Sequence, residues 1–449
     1  MIIIIVIASI YYDYNQYTYM KTLAEYLYEQ NPWWSGEYKD DTIERPLYLE
    51  KIQAMLQTPE ILVIGGVRRS GKTTLMRQTI NRLIRNNTAR PEEILFVSCD
   101  SAEVQSLASP LEDILDTYKK ESGISDGIWI FLDEIQMVEN FPQTLKKWRD
   151  LGKYHLIISG SSSYLLESKT GSMLSGRYLS LTVYPLGFSE YLQFRHIALP
   201  KKNLDAQGRK YEFISCLRRY LTEGGFPALV FQTDEAIRKD YLEAYYDSII
   251  FRDVLSNNPV RNRVTMEALY SYLLSNIAAP QNYTSLAKQF SCDYTRIRDY
   301  IQYAEEGWLF YVVKHFSYSL KKQNASSKKV YVVDTGLRSA ASFVFSKDTG
   351  RLAENVVMME LKRRGFSPMY WLGSHEVDFV LKDDENELLL INVCYSSEIP
   401  ERETRGFEEF ARMYPDILKK YLLLTEDVEG EINGFPALPL WKWLIGMEK

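Results

Sequence analysis

The chain has 449 residues, 46% of them hydrophobic and 25% charged, which is typical of a globular protein with two or three domains. Its 53 Lys and Arg against 59 Asp and Glu give a net charge of −6, which argues against a polycation that coats nucleic acid with its whole surface. Four widely spaced cysteines argue against a disulfide framework or a zinc site, so we expect a cytoplasmic protein. No apolar run reaches the roughly 18 residues that a membrane span needs.

The N-terminal residues allow two interpretations. Met1 to Ala8 is apolar but lacks the basic segment of a signal peptide, and a tyrosine-rich stretch follows it. The first 19 residues are either a product of an upstream translation start or a short buried strand. The first predicted helix covers Thr22 to Gln30.

Short apolar runs alternate with longer helical stretches through the next part of the chain. The predicted buried strands are Glu60 to Ile64, Ile94 to Val97, Ile128 to Leu132 and Leu156 to Ser159. Buried strands separated by helices are typical of a parallel sheet, so the sequence predicts an α/β domain.

A glycine-rich loop follows the first of these strands. Gly66-Val67-Arg68-Arg69-Ser70-Gly71-Lys72-Thr73 matches the pattern G-x-x-x-x-G-K-[ST] between a predicted strand and a predicted helix. Such a loop turns backbone N–H groups and a helix N-terminus onto phosphate oxygens. The residues from Gly66 to Thr74 are therefore predicted to bind ATP, with Lys72 on the β and γ phosphates and Thr73 on Mg²⁺.

Two acidic residues end the third predicted strand. Asp133 at the tip of a buried strand needs a positive partner, and Mg²⁺ bound together with Thr73 supplies one. Glu134 is the predicted general base that orients the attacking water. After the fourth strand, Ser161 either contacts the γ-phosphate or water, or belongs to a serine-rich turn that caps a helix.

Several runs along the chain resemble one family. They are ERPLYLEKI, GGVRRSGKTTLM, FLDEIQ, ISGSSSYLL, LSGR, YPLGFSEYL and EGGFPALV. Together they are similar to archaeal and bacterial AAA-type ATPases with a C-terminal domain of unknown function. The resemblance implies that Gly66 to Thr74 is Walker A, that Asp133 and Glu134 belong to Walker B, and that Ser161 lies near sensor 1. It also makes Arg177, in the run LSGR, a candidate arginine finger.

The middle of the chain resembles a winged helix. Two predicted helices, around Thr284 to Phe290 and Tyr294 to Glu305, precede two β-rich runs that flank a basic turn. Ten Lys and Arg against six Asp and Glu give residues 261–334 a local charge of +4. The predicted DNA contacts are Arg296, Arg298, Lys321, Lys322, Lys328 and Lys329. The alternative is a scaffold that packs on the ATPase and binds no nucleic acid.

The last part resembles the PD-(D/E)xK nuclease fold with an altered site. Alternation places Glu376 and Asp378 on one strand face, and Glu354 in the first turn of a helix. Where that fold has an acid and a lysine, this chain has Asn392 and Cys394, so the carboxylates that could hold a metal lack the ammonium. We expect no nuclease activity here.

Together these features predict an α/β P-loop NTPase sheet with a helical lid, then a winged helix and a PD-(D/E)xK-like α/β domain. The expected parts are a lead-in (1–44), an AAA-type ATPase (45–257), the winged helix (258–334) and the nuclease-like domain (335–449). The predicted function is a Mg²⁺-dependent ATP-hydrolysing switch that acts with DNA. The alternative is a nucleotide-gated scaffold for protein partners, and assembly into a homo-oligomer stays open.

Overall fold

The computed structural model describes residues 21–36, 38, 40–161, 176–341, 348–382, 387–396 and 398–447. Residues 1–19, with their two interpretations, lie outside the described residues, and so do parts of the runs ISGSSSYLL and LSGR. The described chain divides into two compact units. The first holds the residues up to Gly65, Lys72–Gly160 and those from Gly176 to Leu181, and the second holds Gly66–Gly71, Ser161 and everything from Thr182.

Strands and helices alternate in the first unit, and the last strand, β5, ends at the first residue of the second. The elements are α1 (Leu23–Gln30), α2 (Pro46–Met55), β1 (Ile61–Gly65), α3 (Lys72–Arg85), β2 (Ile94–Ser98), α4 (Ala102–Gln105), α5 (Pro110–Ser122), β3 (Ile128–Asp133), α6 (Phe141–Leu151), β4 (Tyr154–Gly160) and β5 (Tyr178–Thr182). Thr22 caps α1 by accepting from the backbone N–H of Glu25, whose carboxylate accepts from the N–H of Thr22.

The five strands form one sheet in the order β2-β3-β4-β1-β5. The β2–β3, β3–β4 and β4–β1 pairs are parallel, and every residue of β1 and β3 is buried. Buried strands of this kind carry continuous apolar runs because helices cover both faces of a parallel sheet. The predicted α/β sheet is confirmed, and its order places β4 between the strand that precedes the glycine-rich loop and the strand that ends in Asp133.

The second unit begins with helices and ends with a mixed sheet. Its elements are α7 (Phe188–Phe194), α8 (Asn203–Gly208), α9 (Lys210–Glu223), α10 (Glu235–Ser248), a π-helical turn (Ile249–Leu255), α11 (Arg263–Ser275), β6 (Pro280–Gln281), α12 (Tyr283–Gln289), α13 (Tyr294–Glu306), β7 (Phe310–Lys314), α14 (Leu320–Ala325), β8 (Lys328–Val332), α15 (Gly336–Ala341), α16 (Thr349–Arg363), β9 (Met369–Leu372), β10 (Glu376–Lys382), β11 (Leu388–Cys394), α17 (Arg402–Met413), β12 (Lys419–Thr425), β13 (Gly430–Ile432), β14 (Phe435–Pro439) and α18 (Leu440–Leu444).

Two sheets organise this unit. Residues 263–332, here called the middle module, contain a three-stranded antiparallel sheet in the order β6-β8-β7. Residues 349–444, the C-terminal module, contain a six-stranded mixed sheet in the order β13-β14-β12-β11-β10-β9. The two modules are joined by a β-bridge between His315 and Tyr370 and by Asn355 of α16, whose side chain exchanges two hydrogen bonds of 2.8 Å with the backbone of Val332.

Three glycines lie where the residues after α9 contact the segment after β8. The N–H groups of Gly225 and Gly336 donate to the two carboxylate oxygens of Asp334 at 2.6 and 2.9 Å. A Cβ on Gly224 would collide with that carboxylate, and one on Gly225 would collide with the carbonyl oxygen of Leu186. Complete burial raises the pKa of Asp334 to about 6.

Of the helices in the described residues, none is both long enough and apolar enough to cross a bilayer.

Candidate nucleotide-binding site

The glycine-rich loop has a backbone that only certain residues adopt easily. Gly66 and Gly71 have φ angles of 140° and 97°, and Arg69 between them has a left-handed φ of 66°. A Cβ on Gly66 would collide with the carbonyl oxygen of Val183. The sequence continues directly from this loop into α3, which begins at Lys72.

The predicted magnesium ligands contact each other. Thr73 Oγ1 donates a hydrogen bond of 2.6 Å to Asp133 Oδ2, and Ser159 Oγ donates to Asp133 Oδ1. Asp133 is only 3% exposed, and this burial raises the pKa of its carboxyl, while the hydrogen bonds from Ser159 and Thr73 and the charge of Lys72 oppose the rise. The structure thus brings Lys72, Thr73 and Asp133 together.

Glu134 lies directly after β3 in an unusual backbone conformation. Its φ and ψ are 52° and 46°, a left-handed conformation that costs a non-glycine residue on the order of 1 kcal/mol. Its N–H donates to Ser159 Oγ at 3.2 Å, and its carboxylate accepts from the side-chain amide of Gln136. Backbone conformations of this kind are concentrated at functional sites, which supports the choice of Glu134 as a site residue.

The donor set at the end of β3 suits a hard divalent cation. Asp133 is a buried carboxylate, and within the described residues its two oxygens accept from the hydroxyl groups of Thr73 and Ser159. Each carboxylate oxygen retains acceptor capacity beyond one hydrogen bond, and oxygen ligands are those that Mg²⁺ prefers. These residues therefore fit the magnesium ion that a P-loop site uses.

A second polar cluster involves the loop arginine Arg68. Its Nε lies 2.8 Å from Oδ2 of Asp253, a carboxylate that is 1% exposed on the π-helical turn. The other oxygen of Asp253 accepts a hydrogen bond of 2.7 Å from Ser161 Oγ. Ser161 is therefore oriented by Asp253, and π-helical turns of this kind recur at functional sites.

Arg177 lies at the other end of the sheet. Its carbonyl oxygen accepts from the N–H of Ile61, the first residue of β1, at 2.9 Å, and its Nε lies 3.5 Å from Asp150 Oδ1. The glycine-rich loop follows the last residue of β1. That residue lies roughly 13 Å from Ile61, because a strand rises about 3.3 Å per residue. The structure does not bring Arg177 together with Lys72, Thr73, Asp133 and Glu134 of its own chain.

The basic residues predicted to contact DNA are not equivalent. Arg298, Lys321 and Lys322 are exposed, and Arg296 is half-buried. Two of the four have acidic neighbours, since Arg298 Nη2 lies 2.8 Å from Asp299 Oδ1 and Arg296 Nη2 lies 3.4 Å from Asp293 Oδ2.

Lys328 and Lys329 differ from the other four. Lys328 is half-buried and its Nζ donates to the carbonyl oxygens of Asn324 and Ser326 at 2.9 Å. Lys329 is 1% exposed and its ammonium lies 2.7 Å from the buried carboxylate of Glu354, so the prediction that it contacts DNA is wrong. The error has a physical origin, because β8 is the central strand of its sheet and α16 covers it.

Two residues of the site were missed by the sequence analysis. Ser159 was predicted only as the last residue of the fourth strand, and its polar side chain among buried neighbours was the signal that could have identified it. Asp253 follows an arginine in a helical stretch, and nothing local marks it as a partner of Ser161, which lies 92 residues earlier.

The comparison with protein families agrees with this geometry. Residues 58–192 match the family model described as "AAA domain". The chain carries an AAA-type P-loop ATPase domain. The AAA domain is followed by matches to two families described as domains of unknown function, DUF8612 over residues 215–348 and DUF4143 over residues 349–443.

Two relatives are similar over most of their length. The uncharacterized protein MJ1544 of Methanocaldococcus jannaschii is 29% identical over 412 residues, which cover 87% of this chain and 90% of that protein. An uncharacterized protein of Haemophilus influenzae is 29% identical over 410 residues, which cover 90% of this chain and 98% of that protein. Both alignments extend well beyond the AAA domain, so the relatives share the later modules as well.

Solved structures give weaker similarity. The Walker-type ATPase PABY2304 of Pyrococcus abyssi has a TM-score of 0.42 at 14% identity, covering 68% of this chain and 97% of that chain. The Orc1 protein of Aeropyrum pernix, solved in complex with DNA, has a TM-score of 0.30 at 14% identity, covering 73% of this chain and 96% of that chain. TM-scores below 0.5 decide neither the fold nor the function of this chain.

Proposed function

We propose that this protein binds ATP with Mg²⁺ and hydrolyses it, and that the nucleotide state acts as a switch for the later modules. The observation that carries the proposal is the 2.6 Å hydrogen bond between Thr73 and Asp133. It joins the hydroxyl after the loop lysine to the buried carboxylate at the end of β3, the two groups that a P-loop site uses for its metal.

Each residue then has one task. The loop from Gly66 to Thr74 binds the phosphates through its N–H groups, and Lys72 supplies a positive charge to the β and γ phosphates. Thr73 and Asp133 would hold Mg²⁺, which when bound neutralises charge on the phosphate oxygens. Glu134 accepts a proton from the attacking water, and Ser161 contacts the γ-phosphate or that water.

The test is phosphate release by the full-length protein. We expect turnover that requires Mg²⁺, stops with EDTA and is lost in Lys72→Ala. Lys51→Ala, which removes an exposed lysine of α2, serves as the matched control and should keep the wild-type rate. Turnover of Lys72→Ala at the wild-type rate would contradict the proposal.

We also propose that the middle module is a winged helix that contacts DNA. Its order of helix, short strand, two helices and two antiparallel strands supports this, as do the exposed Arg298, Lys321 and Lys322. Arg296 lies on the same helix as Arg298 and adds to the positive surface. Basic side chains on such a surface neutralise phosphates and make binding strongly dependent on salt.

The salt dependence of DNA binding tests this second proposal. In the full-length protein, Lys321→Ala combined with Lys322→Ala should lower the slope of log affinity against log salt by roughly 2. Lys146→Ala combined with Lys147→Ala, two exposed lysines of α6, should leave the slope unchanged. Binding without salt dependence, or no binding at all, would favour the nucleotide-gated scaffold for protein partners instead.

For the C-terminal module we propose a PD-(D/E)xK-like fold without nuclease activity. The side chain of Asn392 is bonded to the backbone, since it accepts from the N–H of Asp378 at 2.9 Å and donates to the carbonyl oxygen of Glu403 at 2.7 Å. Cys394 is buried, and neither residue supplies an ammonium. Plasmid cleavage with Mg²⁺ or Mn²⁺ that disappears in Asp378→Ala would overturn this proposal.

A further inference from the structure

A buried lysine lies at the centre of three carboxylates in the second unit. Lys329 Nζ, on β8 of the middle module, lies 2.7 Å from Glu354 Oε1 and 3.1 Å from Asp378 Oδ1. It also forms an ion pair with Glu376, and its side chain is 2% exposed. The cation comes from the middle module and all three anions come from the C-terminal module.

The carboxylates are also held by groups other than the lysine. Tyr331 Oη donates to Glu354 Oε1 at 2.7 Å, and the N–H of Val393 donates to Asp378 Oδ2 at 2.9 Å. The N–H of Asp378 in turn donates to Oδ1 of Asn392. The positions of Glu354 and Asp378 are therefore set by the fold of the C-terminal module together with β8.

The cluster carries more negative charge than one ammonium balances. Glu354, Glu376 and Asp378 together bring three carboxylates to a single positive charge. A cation of charge +2 would balance this cluster better than a cation of charge +1.

The structure already holds a cation here, and that cation is the ammonium. Among the described residues, no group of three or more His, Cys, Asp and Glu side chains is arranged to hold a metal ion. The carboxylates close on Lys329 Nζ instead. An ammonium therefore lies among these carboxylates, and it comes from β8 and not from β11.

We propose that Lys329 is the resident cation of a cation-binding site formed by Glu354, Glu376 and Asp378. The ammonium occupies the place that a divalent metal would take, which keeps metal out and fastens β8 to the C-terminal module. Once the ammonium is removed, the same carboxylates bind a divalent cation such as Mn²⁺. The inference goes beyond the proposed ATPase function and does not depend on it.

The test is Mn²⁺ binding by the full-length protein without nucleotide, measured by equilibrium titration with electron paramagnetic resonance. We expect Lys329→Met, which keeps an apolar stem of similar length, to bind one more Mn²⁺ per chain than the wild type. Adding Asp378→Asn should abolish the extra site. Lys328→Met is the matched control, because it removes the neighbouring half-buried lysine and should add no Mn²⁺.

Two results would overturn the proposal. In the first, the wild type binds the same Mn²⁺ as Lys329→Met and loses it in Asp378→Asn, so the ammonium is not the resident cation. In the second, Lys329→Met is folded by circular dichroism and gains no Mn²⁺, so the carboxylates are not a cation site.

A folding measurement keeps the test decisive if Lys329→Met unfolds in metal-free buffer. Millimolar Mn²⁺ should then restore the folded signal of Lys329→Met. The double variant Lys329→Met with Asp378→Asn should stay unfolded under the same conditions. Unfolding that Mn²⁺ does not reverse would overturn the proposal as well.

Discussion

At the scale of single residues, a substitution of Glu134 should separate ATP binding from ATP hydrolysis. Glu134→Gln keeps the shape of the side chain and removes its ability to accept a proton. We therefore expect ATP affinity close to that of the wild type and turnover lower by about 10²-fold or more. Fluorescent-nucleotide titration and phosphate release measure the two quantities.

The control for this variant is Glu139→Gln, which alters an exposed glutamate a few residues later. Its turnover should equal that of the wild type. A wild-type rate in Glu134→Gln would show that another group orients the water, and Glu134 would then be a structural residue with an unusual backbone.

A second prediction for a single residue concerns Asp253 and the stability of the protein. Asp253→Asn leaves the guanidinium of Arg68 without its buried anion, and removal of one partner of a buried pair costs about 3 kcal/mol. We expect the free energy of unfolding to fall by about that amount in urea titrations. Asp247→Asn, an exposed residue of α10, is the control and should change it by less than about 0.5 kcal/mol.

A double-mutant cycle then tests the pairing itself. Arg68→Met combined with Asp253→Asn should cost less than the sum of the single changes, with a coupling of about 1–3 kcal/mol. Additive effects would mean that the two side chains stabilise the protein independently, in spite of the 2.8 Å contact.

At the scale of elements, Asp334 makes stability depend on pH. Burial raises its pKa from 3.8 to about 6, so the folded state holds a proton that the unfolded state releases. The contribution of Asp334 to the free energy of unfolding is fully present below about pH 4 and is lost as pH rises through about 6. The groups that face the carboxylate are the N–H groups of Gly225 and Gly336 and the guanidinium of Arg363.

The measurement is the free energy of unfolding between pH 4.5 and 7.5. We expect Asp334→Asn to be less stable than the wild type at each pH, because an amide cannot accept from both N–H groups. The free energy of unfolding of the wild type should fall by on the order of 2 kcal/mol as pH rises over this range, and that of Asp334→Asn should not show this fall. A wild-type slope in Asp334→Asn would assign the pH dependence to another group.

The elements also show which features can be predicted from sequence. The P-loop, β3 and the pair Asp133–Glu134 were predictable because each depends on a local pattern of apolar and polar residues. Lys329 was not predictable, because SKKVYVV resembles the edge of a basic turn. Its burial depends on β8 being the central strand of its sheet and on α16, which follows later in the chain.

The hydrogen bond between Ser161 and Asp253 could not be predicted from the sequence either. A serine after an apolar strand is equally compatible with a turn, a helix cap and a site residue. Only the fold brings the π-helical turn next to it, and no periodicity along the chain encodes that contact.

At the scale of the whole molecule, Arg177 raises the question of a second copy. In its own chain it pairs with Asp150, at the end of β1 away from the glycine-rich loop. An arginine finger at this position would therefore serve the nucleotide of another copy. We expect Arg177→Ala to keep ATP affinity and to lose turnover.

A mixing experiment tests this expectation. Lys72→Ala retains Arg177, and Arg177→Ala retains the loop, so a mixture should recover turnover that neither variant shows alone. Asp150→Asn is the control, because it breaks the same ion pair and leaves the arginine in place. Equal losses of affinity and turnover in Arg177→Ala, without recovery on mixing, would make Arg177 a structural residue.

The two hydrogen bonds between Asn355 and Val332 have a practical consequence for dissecting the chain. A fragment that starts at residue 349, where the last family match begins, would lack β8. Its Glu354 would then have neither Lys329 nor Tyr331, and its Asn355 would face solvent instead of a backbone. Fragments intended for expression should begin upstream of Arg263, so that the last family match is produced together with the strand that completes it.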